Sequence, residues 1–349
     1  MTSSIDLPPL TGGAAKIFFA SQLCSKSKAR MPPKDLSLAG QTIIISGANA
    51  GLGFTCAGQL LDHRLSRLII AVRSVEKGEA AAETLRKKYP GAIIEVWALD
   101  MVSYKSIQSF ADRCSTLSRI DAVILNAGVS KQDFSLSPHG HEEMVQVNYL
   151  STTLLSVLLL PVLKAKKVSG KASKLTIVSS GSTFGAKFLE HDKVPLLAAL
   201  NDKNNFDAVD RYQTSKLLGQ LTITKLASYI PKEDVVVNLV DPGLTKGSSL
   251  HQNLNLAYQA VMGTVKAVTG RTLEEGASTY LDAAVVRGDE THGSYLMDWK
   301  IHPASRSFPA FVYTPEGKAS ANRLWHETLQ ELDFAGVRLI LHSMQSDRR

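Results

Sequence analysis

Residues 42–53 read Thr-Ile-Ile-Ile-Ser-Gly-Ala-Asn-Ala-Gly-Leu-Gly, a β-branched apolar run followed directly by a glycine-rich turn. The turn, Ser46–Gly53, has the spacing G-x-x-x-G-x-G, which differs from the G-x-G-x-x-G spacing of other dinucleotide folds. Glycines allow a tight turn and a close approach of ligand to backbone, and a following helix points its unpaired N–H groups at an anion. The stretch therefore predicts a first strand and a pyrophosphate-binding turn, with contacts from Gly47, Asn49, Ala50, Gly51, Leu52 and Gly53.

Short apolar runs alternate with helical patterns from about residue 38 onward. The predicted strands are 42–46, 68–72, 93–99, 122–125, 175–178, 235–240 and 294–297. The predicted helices lie near 52–62, 75–88, 103–118, 141–166, 211–229, 273–286 and 315–332. Most strands are continuous apolar runs, as expected for parallel strands buried on both faces. The alternation predicts an α/β fold, the doubly wound parallel sheet of a Rossmann fold, with about seven strands and ligands at their carboxyl ends.

One domain is predicted over residues 38–335, with an N-terminal extension over 1–37 and a C-terminal tail over 336–349. Inside the domain, 181–210 and 246–272 lack strand patterns and are long for connections. Long loops in compact domains often act as lids, so both are interpreted as substrate loops. Their larger apolar residues predict a sizeable apolar ligand: Phe184, Phe188, Leu250, Leu254 and Tyr258.

The composition is that of an ordinary globular protein, with 349 residues, 44% hydrophobic and 20% charged. The net charge is +7, and part of the basic excess lies in the first 40 residues. A basic extension can contact anionic membranes or nucleic acid. No arginine-rich or aromatic-interleaved patch supports a nucleic-acid partner, and any membrane contact is expected through the extension and its Phe18-Phe19 pair.

Three features that could point to other protein classes have simpler interpretations. Three scattered cysteines without C-x-x-C spacing favour a reducing compartment, so we expect a cytoplasmic protein. His139-Gly140-His141-Glu142-Glu143 lacks H-E-x-x-H spacing, and no metal site is predicted. Met144–Leu163 is long enough to span a membrane but contains Gln146, Asn148 and Pro161, so it is interpreted as a buried helix.

The second strand ends in Arg73, where a dinucleotide fold that uses NAD would carry an acidic residue. An acid there binds the ribose 2′-hydroxyl, whereas an arginine suits a 2′-phosphate. Lys77 follows one helical turn later. These two cations predict NADP(H) as the cofactor.

Tyr212-Gln213-Thr214-Ser215-Lys216 places a phenol and an ammonium four positions apart in a predicted helix. Residues at this spacing share one helix face, with Cβ atoms about 5–6 Å apart. A nearby positive charge favours the phenolate, which brings a tyrosine closer to use as a proton carrier at neutral pH. The pair is common by chance in helices and gains meaning from the other segments.

Together these segments resemble the short-chain dehydrogenase/reductase family over roughly residues 40–335. The matching motifs follow in chain order: Ser46–Gly53 with Ser in place of Thr, Leu99-Asp100-Met101, Asn126-Ala127-Gly128, Val147-Asn148, Val178-Ser179-Ser180, Tyr212 with Lys216, and Asp241-Pro242-Gly243-Leu244-Thr245. Arg73-Ser74-x-x-Lys77-Gly78 and Leu324-Trp325 are similar to the retinol-dehydrogenase-like branch and to reductases of fungal natural-product pathways.

The resemblance implies a role for each matched position. Near the cofactor it places Asp100 and Met101 at the adenine, Asn126, Ala127 and Gly128 beside the sheet and cofactor, and Pro242, Gly243 and Thr245 at the nicotinamide. Tyr212 would exchange the proton on the substrate oxygen, and Lys216 would support Tyr212 and bind the nicotinamide ribose. Ser180 would hydrogen-bond the developing alkoxide, and Asn148 would hold a water that links Lys216 to solvent.

The expected function is an NADP(H)-dependent oxidoreductase that acts on a ketone or secondary alcohol of a lipophilic small molecule, in secondary metabolism. Two alternatives remain open: reduction of a conjugated double bond, and a non-catalytic cofactor sensor on the same scaffold. The segment between Ser180 and Tyr212 is longer than is common in the family, which leaves the substrate open. Because the helices carrying Asn148 and Tyr212 often form a four-helix dimer contact in the family, a monomer or a homodimer is expected.

Overall fold

In this computed structural model, the described residues are 4, 7–8, 13–24, 32–247, 256–301 and 309–346. Within them, one parallel sheet has the strand order β3-β2-β1-β4-β5-β6-β7. The strands are β1 (Thr42–Ser46), β2 (Arg67–Val72), β3 (Ile93–Ala98), β4 (Ala122–Leu125), β5 (Ser173–Val178), β6 (Val235–Val240) and β7 (Ser294–Leu296). The predicted doubly wound sheet of about seven strands is confirmed.

Helices cover both faces of this sheet. Within the same described ranges they are α1 (Ala14–Cys24), α2 (Gly51–Asp62), α3 (Val75–Lys88), α4 (Tyr104–Cys114), α5 (Glu143–Val145), α6 (Thr152–Lys166), α7 (Leu196–Ala199), α8 (Ala208–Ser228), α9 (Leu256–Thr269), α10 (Leu273–Leu281), α11 (Ala310–Tyr313), α12 (Pro315–Glu331) and α13 (Val337–Ser346). A core of buried side chains lies on each face. One includes residues of α2, α3 and α10, and the other includes residues of α4, α6, α8, α12 and α13.

Most strands are rich in apolar residues because helices cover both faces of the sheet. Every residue of β1 and of β6 is buried. The strand order reverses between β1 and β4. After β1, the next strands β2 and β3 are added on one side of the sheet, and after β4, the strands β5, β6 and β7 are added on the other side. In such sheets a crevice opens at this point, outside the carboxyl ends of the strands, and there the glycine turn after β1 begins.

The long apolar helix of the sequence is an internal element of this fold. Residues Glu143–Lys166 are continuously helical and are the one helix in the described chain with the length and composition to cross a membrane. Of its most apolar window, 83% is buried inside the protein. The helix packs on the sheet and against α4 and α13, in agreement with its interpretation as a buried helix.

The C-terminal segment differs from its prediction as a tail over 336–349. Residues Val337–Ser346 form α13, which packs on α6. Val337, Leu341 and Met344 are buried in the same core as α6 and α8. The described part of this segment therefore belongs to the domain, because its apolar stripe covers one face of the core.

The N-terminal extension also contacts the domain. Ser4 lies beside β7, where its hydroxyl accepts from the backbone N–H of Tyr295 at 3.0 Å and its carbonyl accepts from the Tyr313 hydroxyl at 3.0 Å. Further along, α1 packs against residues Gly181–Gly185 and against α9. The predicted boundary at residue 37 thus separates segments that share contacts in the folded chain.

Candidate active site

The glycine turn after β1 forms an open cradle at the start of α2. Gly47 and Gly51 have φ angles of +67° and +56°, which side chains rarely adopt. A Cβ on Gly53 would lie 2.6 Å from the carbonyl oxygen of Gly47, so close packing also requires glycine there. No side chain caps α2, and its first turn carries no acid. The free N–H groups and positive helix end fit a dinucleotide pyrophosphate.

Asn126 ties the end of β4 to this turn. Its Nδ2 donates to the carbonyl oxygens of Ser46 at 2.9 Å and Gly47 at 3.1 Å, and its Oδ1 accepts from the Tyr280 hydroxyl at 3.1 Å. The backbone N–H of Ala127 donates to the Ser46 hydroxyl at 2.9 Å. The hydroxyl at position 46 therefore accepts a hydrogen bond. Serine and threonine both carry such a hydroxyl, so serine can replace the threonine of the motif.

The residues predicted to contact the adenosine half lie at the ends of β2 and β3. Arg73 and Lys77 are exposed beside the crevice. Between them, Ser74 caps α3 by accepting from the backbone N–H of Lys77 at 3.3 Å. After the end of β3, Asp100 stabilises the turn by accepting from the N–H of Val102 at 3.0 Å, and Met101 is buried.

Asn148 lies in a single π-helical turn, Gln146–Ser151, between α5 and α6. Such turns occur frequently at functional sites. Its Oδ1 accepts from the N–H of Val129, while Nδ2 donates to the carbonyl oxygen of Val129 and to the hydroxyl of Ser215, each at 2.9 Å. The side chain thus braces the loop after β4 against α8, and its role in holding a water stays a prediction.

Tyr212 and Lys216 lie on the same buried part of α8. The Ser215 hydroxyl that Asn148 contacts donates in turn to the carbonyl oxygen of Tyr212 at 2.7 Å. Lys216 Nζ donates to the carbonyl oxygen of Val178 at the end of β5, at 2.9 Å. Burial lowers the pKa of Lys216 from 10.5 to about 8. A buried ammonium beside a phenol favours proton exchange there.

Ser180 follows β5 two residues after the carbonyl that Lys216 contacts. Its hydroxyl is half-buried, donates to the Ser182 hydroxyl at 2.9 Å and accepts from the N–H of Ser182 at 3.2 Å. These contacts start a short 3₁₀ helix, Gly181–Gly185. The hydroxyl of Ser180 therefore lies at the carboxyl end of β5, next to the strand end that anchors Lys216.

The Asp241–Thr245 segment after β6 completes this edge. Gly243 has φ +72°, and its N–H donates to Asp241 Oδ1 at 3.0 Å. The buried Thr245 donates through its hydroxyl to the carbonyl oxygen of Gly243 at 3.1 Å. A Cβ on Gly181 would lie 2.9 Å from Asp241 Oδ2, so Asp241 connects this segment to the residues after Ser180. Burial raises the pKa of Asp241.

Arg271 is a site residue that the sequence did not indicate. It is completely buried, and its Nη1 donates to the carbonyl oxygen of Pro242 at 2.9 Å. It also pairs with Asp298 and stacks on Trp299. No local motif marks this arginine, because its partners come from distant parts of the chain.

The two predicted substrate loops differ in what the structure describes. Phe188 is 2% exposed and packs edge-on against Phe311, so it belongs to the core, in contrast to its prediction as a pocket residue. Phe184 also packs against that core. Leu250 and Leu254 lie outside the described residues, as does the side chain of Tyr258.

The histidine-rich segment at 139–143 has structural contacts. His139 stacks on Tyr104, and the Glu142 carboxylate caps α5 through the N–H groups of Met144 and Val145. Across the described ranges, histidine, cysteine and acidic side chains form no group that could hold a metal ion.

Comparisons with known proteins identify chains that are similar to this one. Residues 41–191 match the family model described as short chain dehydrogenase. The chain is 49% identical to the short chain dehydrogenase/reductase mfmJ of Annulohypoxylon moriforme, over 99% of this chain and 100% of the relative. It is 40% identical to the short chain dehydrogenase virL of Hypocrea virens, over 90% of this chain and 91% of that one.

A solved structure shares the fold. The short-chain dehydrogenase from Sphingobium yanoikuyae in complex with NADPH matches with a TM-score of 0.53 and 19% identity, over 69% of this chain and 83% of that one. At this identity the similarity shows the fold alone. The fold and the two full-length relatives together identify the chain as a member of the short-chain dehydrogenase/reductase family, oxidoreductases that use nicotinamide cofactors.

Proposed function

We propose that the protein is an NADP(H)-dependent oxidoreductase that interconverts a ketone and a secondary alcohol on a lipophilic small molecule. The observation that carries this proposal is the hydrogen-bond chain around α8. Asn148 holds Ser215, Ser215 holds the backbone of Tyr212, and Lys216 reaches the end of β5 beside Ser180. The phenol of Tyr212, the ammonium of Lys216 and the hydroxyl of Ser180 thus lie on elements that meet at one edge of the sheet.

Each group has a distinct part in the proposed reaction. Bound nicotinamide would supply or accept the hydride at the substrate carbon. During reduction, Tyr212 gives its hydroxyl proton to the substrate oxygen, while the Ser180 hydroxyl donates a hydrogen bond to the same oxygen as negative charge develops. Lys216 stabilises the resulting phenolate and would bind the ribose of the cofactor. In oxidation the same groups act in reverse.

The NADP(H) preference is supported by position and by charge. Arg73 and Lys77 are exposed at the carboxyl end of β2 and the start of α3, where the adenosine ribose lies in dinucleotide folds. We further propose a cytoplasmic location and a place in secondary metabolism, which follow from the scattered cysteines and from the resemblance to fungal natural-product reductases.

Tyr212→Phe tests the proposed proton donor. The phenyl ring keeps the packing of the buried side chain but removes the hydroxyl, so we expect NADPH binding within about twofold of wild type and a loss of turnover of at least about 10²-fold. Turnover is measured by NADPH absorbance during a screen of lipophilic ketones. Tyr229→Phe, on the residue that directly follows α8 and packs against Trp325, is the matched control and should keep full activity.

Product analysis separates the proposal from reduction of a conjugated double bond. A ketone reductase yields a secondary alcohol, whereas the alternative reaction keeps the carbonyl and saturates the neighbouring bond.

Retention of most of kcat by the Tyr212→Phe variant would rule out the assigned role of Tyr212.

A further inference from the structure

The helix α1 is attached to the segment that the family resemblance assigns to the nicotinamide. Gln22 is only 2% exposed. In the amide orientation that satisfies both of its polar atoms, it donates to the carbonyl oxygen of Leu244 at 3.2 Å and accepts from the N–H of Leu244 at 3.1 Å. One side chain therefore pairs with both backbone groups of a residue between Gly243 and Thr245, as a neighbouring strand would.

A second contact reaches the same segment from the preceding residue of α1. The Ser21 hydroxyl donates to Asp298 Oδ1 at 2.8 Å. Asp298 pairs with the buried Arg271, and Arg271 donates to the carbonyl oxygen of Pro242. The backbone N–H of Arg271 also donates to the carbonyl oxygen of Leu244 at 2.8 Å. The segment is thus fixed from two sides, and α1 contributes to both.

Packing leaves little freedom at this junction. A Cβ on Gly243 would lie 2.7 Å from Arg271 Nη1 and 2.8 Å from the side-chain amide of Gln22. The ion-pair partner Asp298 and its neighbour Trp299 have φ angles of +56° and +57°, which are unfavourable for residues with side chains. Such strain persists only where the surroundings hold the backbone firmly. On the other side of the site, α1 packs against Gly181–Gly185, which follow Ser180.

We propose that α1 is part of the active site and that Gln22 is a positioning residue for the nicotinamide half of the cofactor. By bonding both backbone groups of Leu244, it holds the Pro242–Thr245 segment in the shape that receives the ring. The inference rests on the proposed function, because that function assigns this segment to the nicotinamide. It adds a residue of the N-terminal extension, which no family motif includes.

Calorimetric titration of two ligands into Gln22→Met tests this role. Methionine keeps the length of the side chain and removes both hydrogen bonds. NADPH occupies the whole site, whereas adenosine 2′,5′-bisphosphate occupies only the Arg73 end. We expect the Kd for NADPH to rise about tenfold, a loss of about 1.4 kcal/mol, while the Kd for the bisphosphate stays within about twofold.

The outcomes separate this inference from its premise. Equal weakening of both ligands, or no change in either, would overturn the role of Gln22. Failure of the wild-type chain to bind NADPH would instead overturn the proposed function. Leu23→Gln, at an exposed neighbouring position, is the control and should match wild type. If Gln22→Met does not fold, Ser21→Ala tests the second contact. We expect this variant to weaken NADPH binding about threefold and to leave binding of the bisphosphate unchanged. Equal weakening of both ligands, or no change in either, contradicts the proposal.

Discussion

At the scale of single residues, the proposed preference for NADP(H) depends on Arg73. Its guanidinium is exposed at the end of β2, so it is available to a 2′-phosphate. A charge-assisted hydrogen bond contributes about 1.5–3 kcal/mol, which corresponds to roughly one to two powers of ten in affinity. We expect Arg73→Ala to weaken NADPH binding by this factor and NADH binding much less.

Steady-state kinetics with both cofactors check this expectation. Lys87→Ala, at the far end of α3, removes an exposed cation of the same helix and should leave both KM values unchanged. An equal loss for NADPH and NADH in Arg73→Ala would show that the arginine does not read the 2′-phosphate.

Lys216 illustrates a conflict between stability and chemistry. Burial lowers its pKa from 10.5 to about 8, so the unfolded chain holds the proton more tightly than the folded chain does. The folded state therefore loses stability below pH 8, and this loss disappears as the pH rises towards 10.5. Lys216→Met should therefore raise the free energy of unfolding at pH 7 by up to about 3 kcal/mol. Loss of the hydrogen bond to Val178 reduces this gain by about 1 kcal/mol. The same variant should abolish turnover.

Lys174 provides a matched control for this prediction. It is a buried lysine of β5 whose pKa burial likewise lowers to about 8, but it is not among the proposed site residues. Denaturant unfolding between pH 7 and 10.5 should show the same pH-dependent gain in Lys174→Met, with turnover retained. A Lys216→Met variant less stable than wild type at pH 7 would contradict the argument.

At the scale of elements, the segment inserted before α8 is fastened at several points. Arg211, which directly precedes Tyr212, donates to Glu190 at 2.7 Å and to the carbonyl oxygen of Leu200 at 2.8 Å. From the other side, the Glu327 carboxylate of α12 accepts from the N–H groups of Leu196 and Leu197, each at 2.8 Å. Residues 190–200 of the insertion are therefore held in place by α8 and α12, whereas the length of the insertion predicts a lid.

Glu190→Gln tests this attachment. The side chains of Arg211 and Glu190 are 2% and 5% exposed, so the substitution removes the carboxylate that pairs with a buried cation. Breaking a buried ion pair costs about 3–5 kcal/mol, which thermal or denaturant unfolding would detect readily. Glu83→Gln breaks an exposed pair on α3 and should leave the melting temperature unchanged. Equal stability of the two variants would mean that Glu190 does not hold the insertion.

The sequence predicts elements that carry their own local signal. The glycine turn and Arg73 lie at strand ends, and Tyr212 and Lys216 have a fixed helical spacing, so all could be placed in advance. The apolar stripe of Val337, Leu341 and Met344 has helical i, i+4, i+7 spacing, so α13 was also predictable in place of a tail. The contacts of Gln22 and the burial of Arg271 could not be predicted from the sequence, because both depend on partners that only the tertiary fold brings near.

At the scale of the whole molecule, the C-terminal helices cover α8 and α6. In the family, the helices that carry Asn148 and Tyr212 often pair with their copies in a four-helix dimer. Here α12 packs on α8 and α13 packs on α6. The Tyr149 hydroxyl contacts that of Thr328 at 2.8 Å, and Trp325 packs against Tyr229.

We therefore expect a monomer of 37.8 kDa in solution. Sedimentation or light scattering at micromolar concentration would measure the mass directly. A stable dimer would mean that the chain assembles through a different surface, or that α12 and α13 leave the helices they cover.

The attachment of α1 also has a consequence for how the protein is made. During synthesis Ser21 leaves the ribosome long before its partner Asp298, which lies 277 residues later in the chain. Until then α1 lacks its contact with Asp298, and the segment after β6 lacks the support that the Arg271–Asp298 pair provides. Assembly of the proposed nicotinamide end of the site is therefore a late event in synthesis, completed after the final strand of the sheet has emerged.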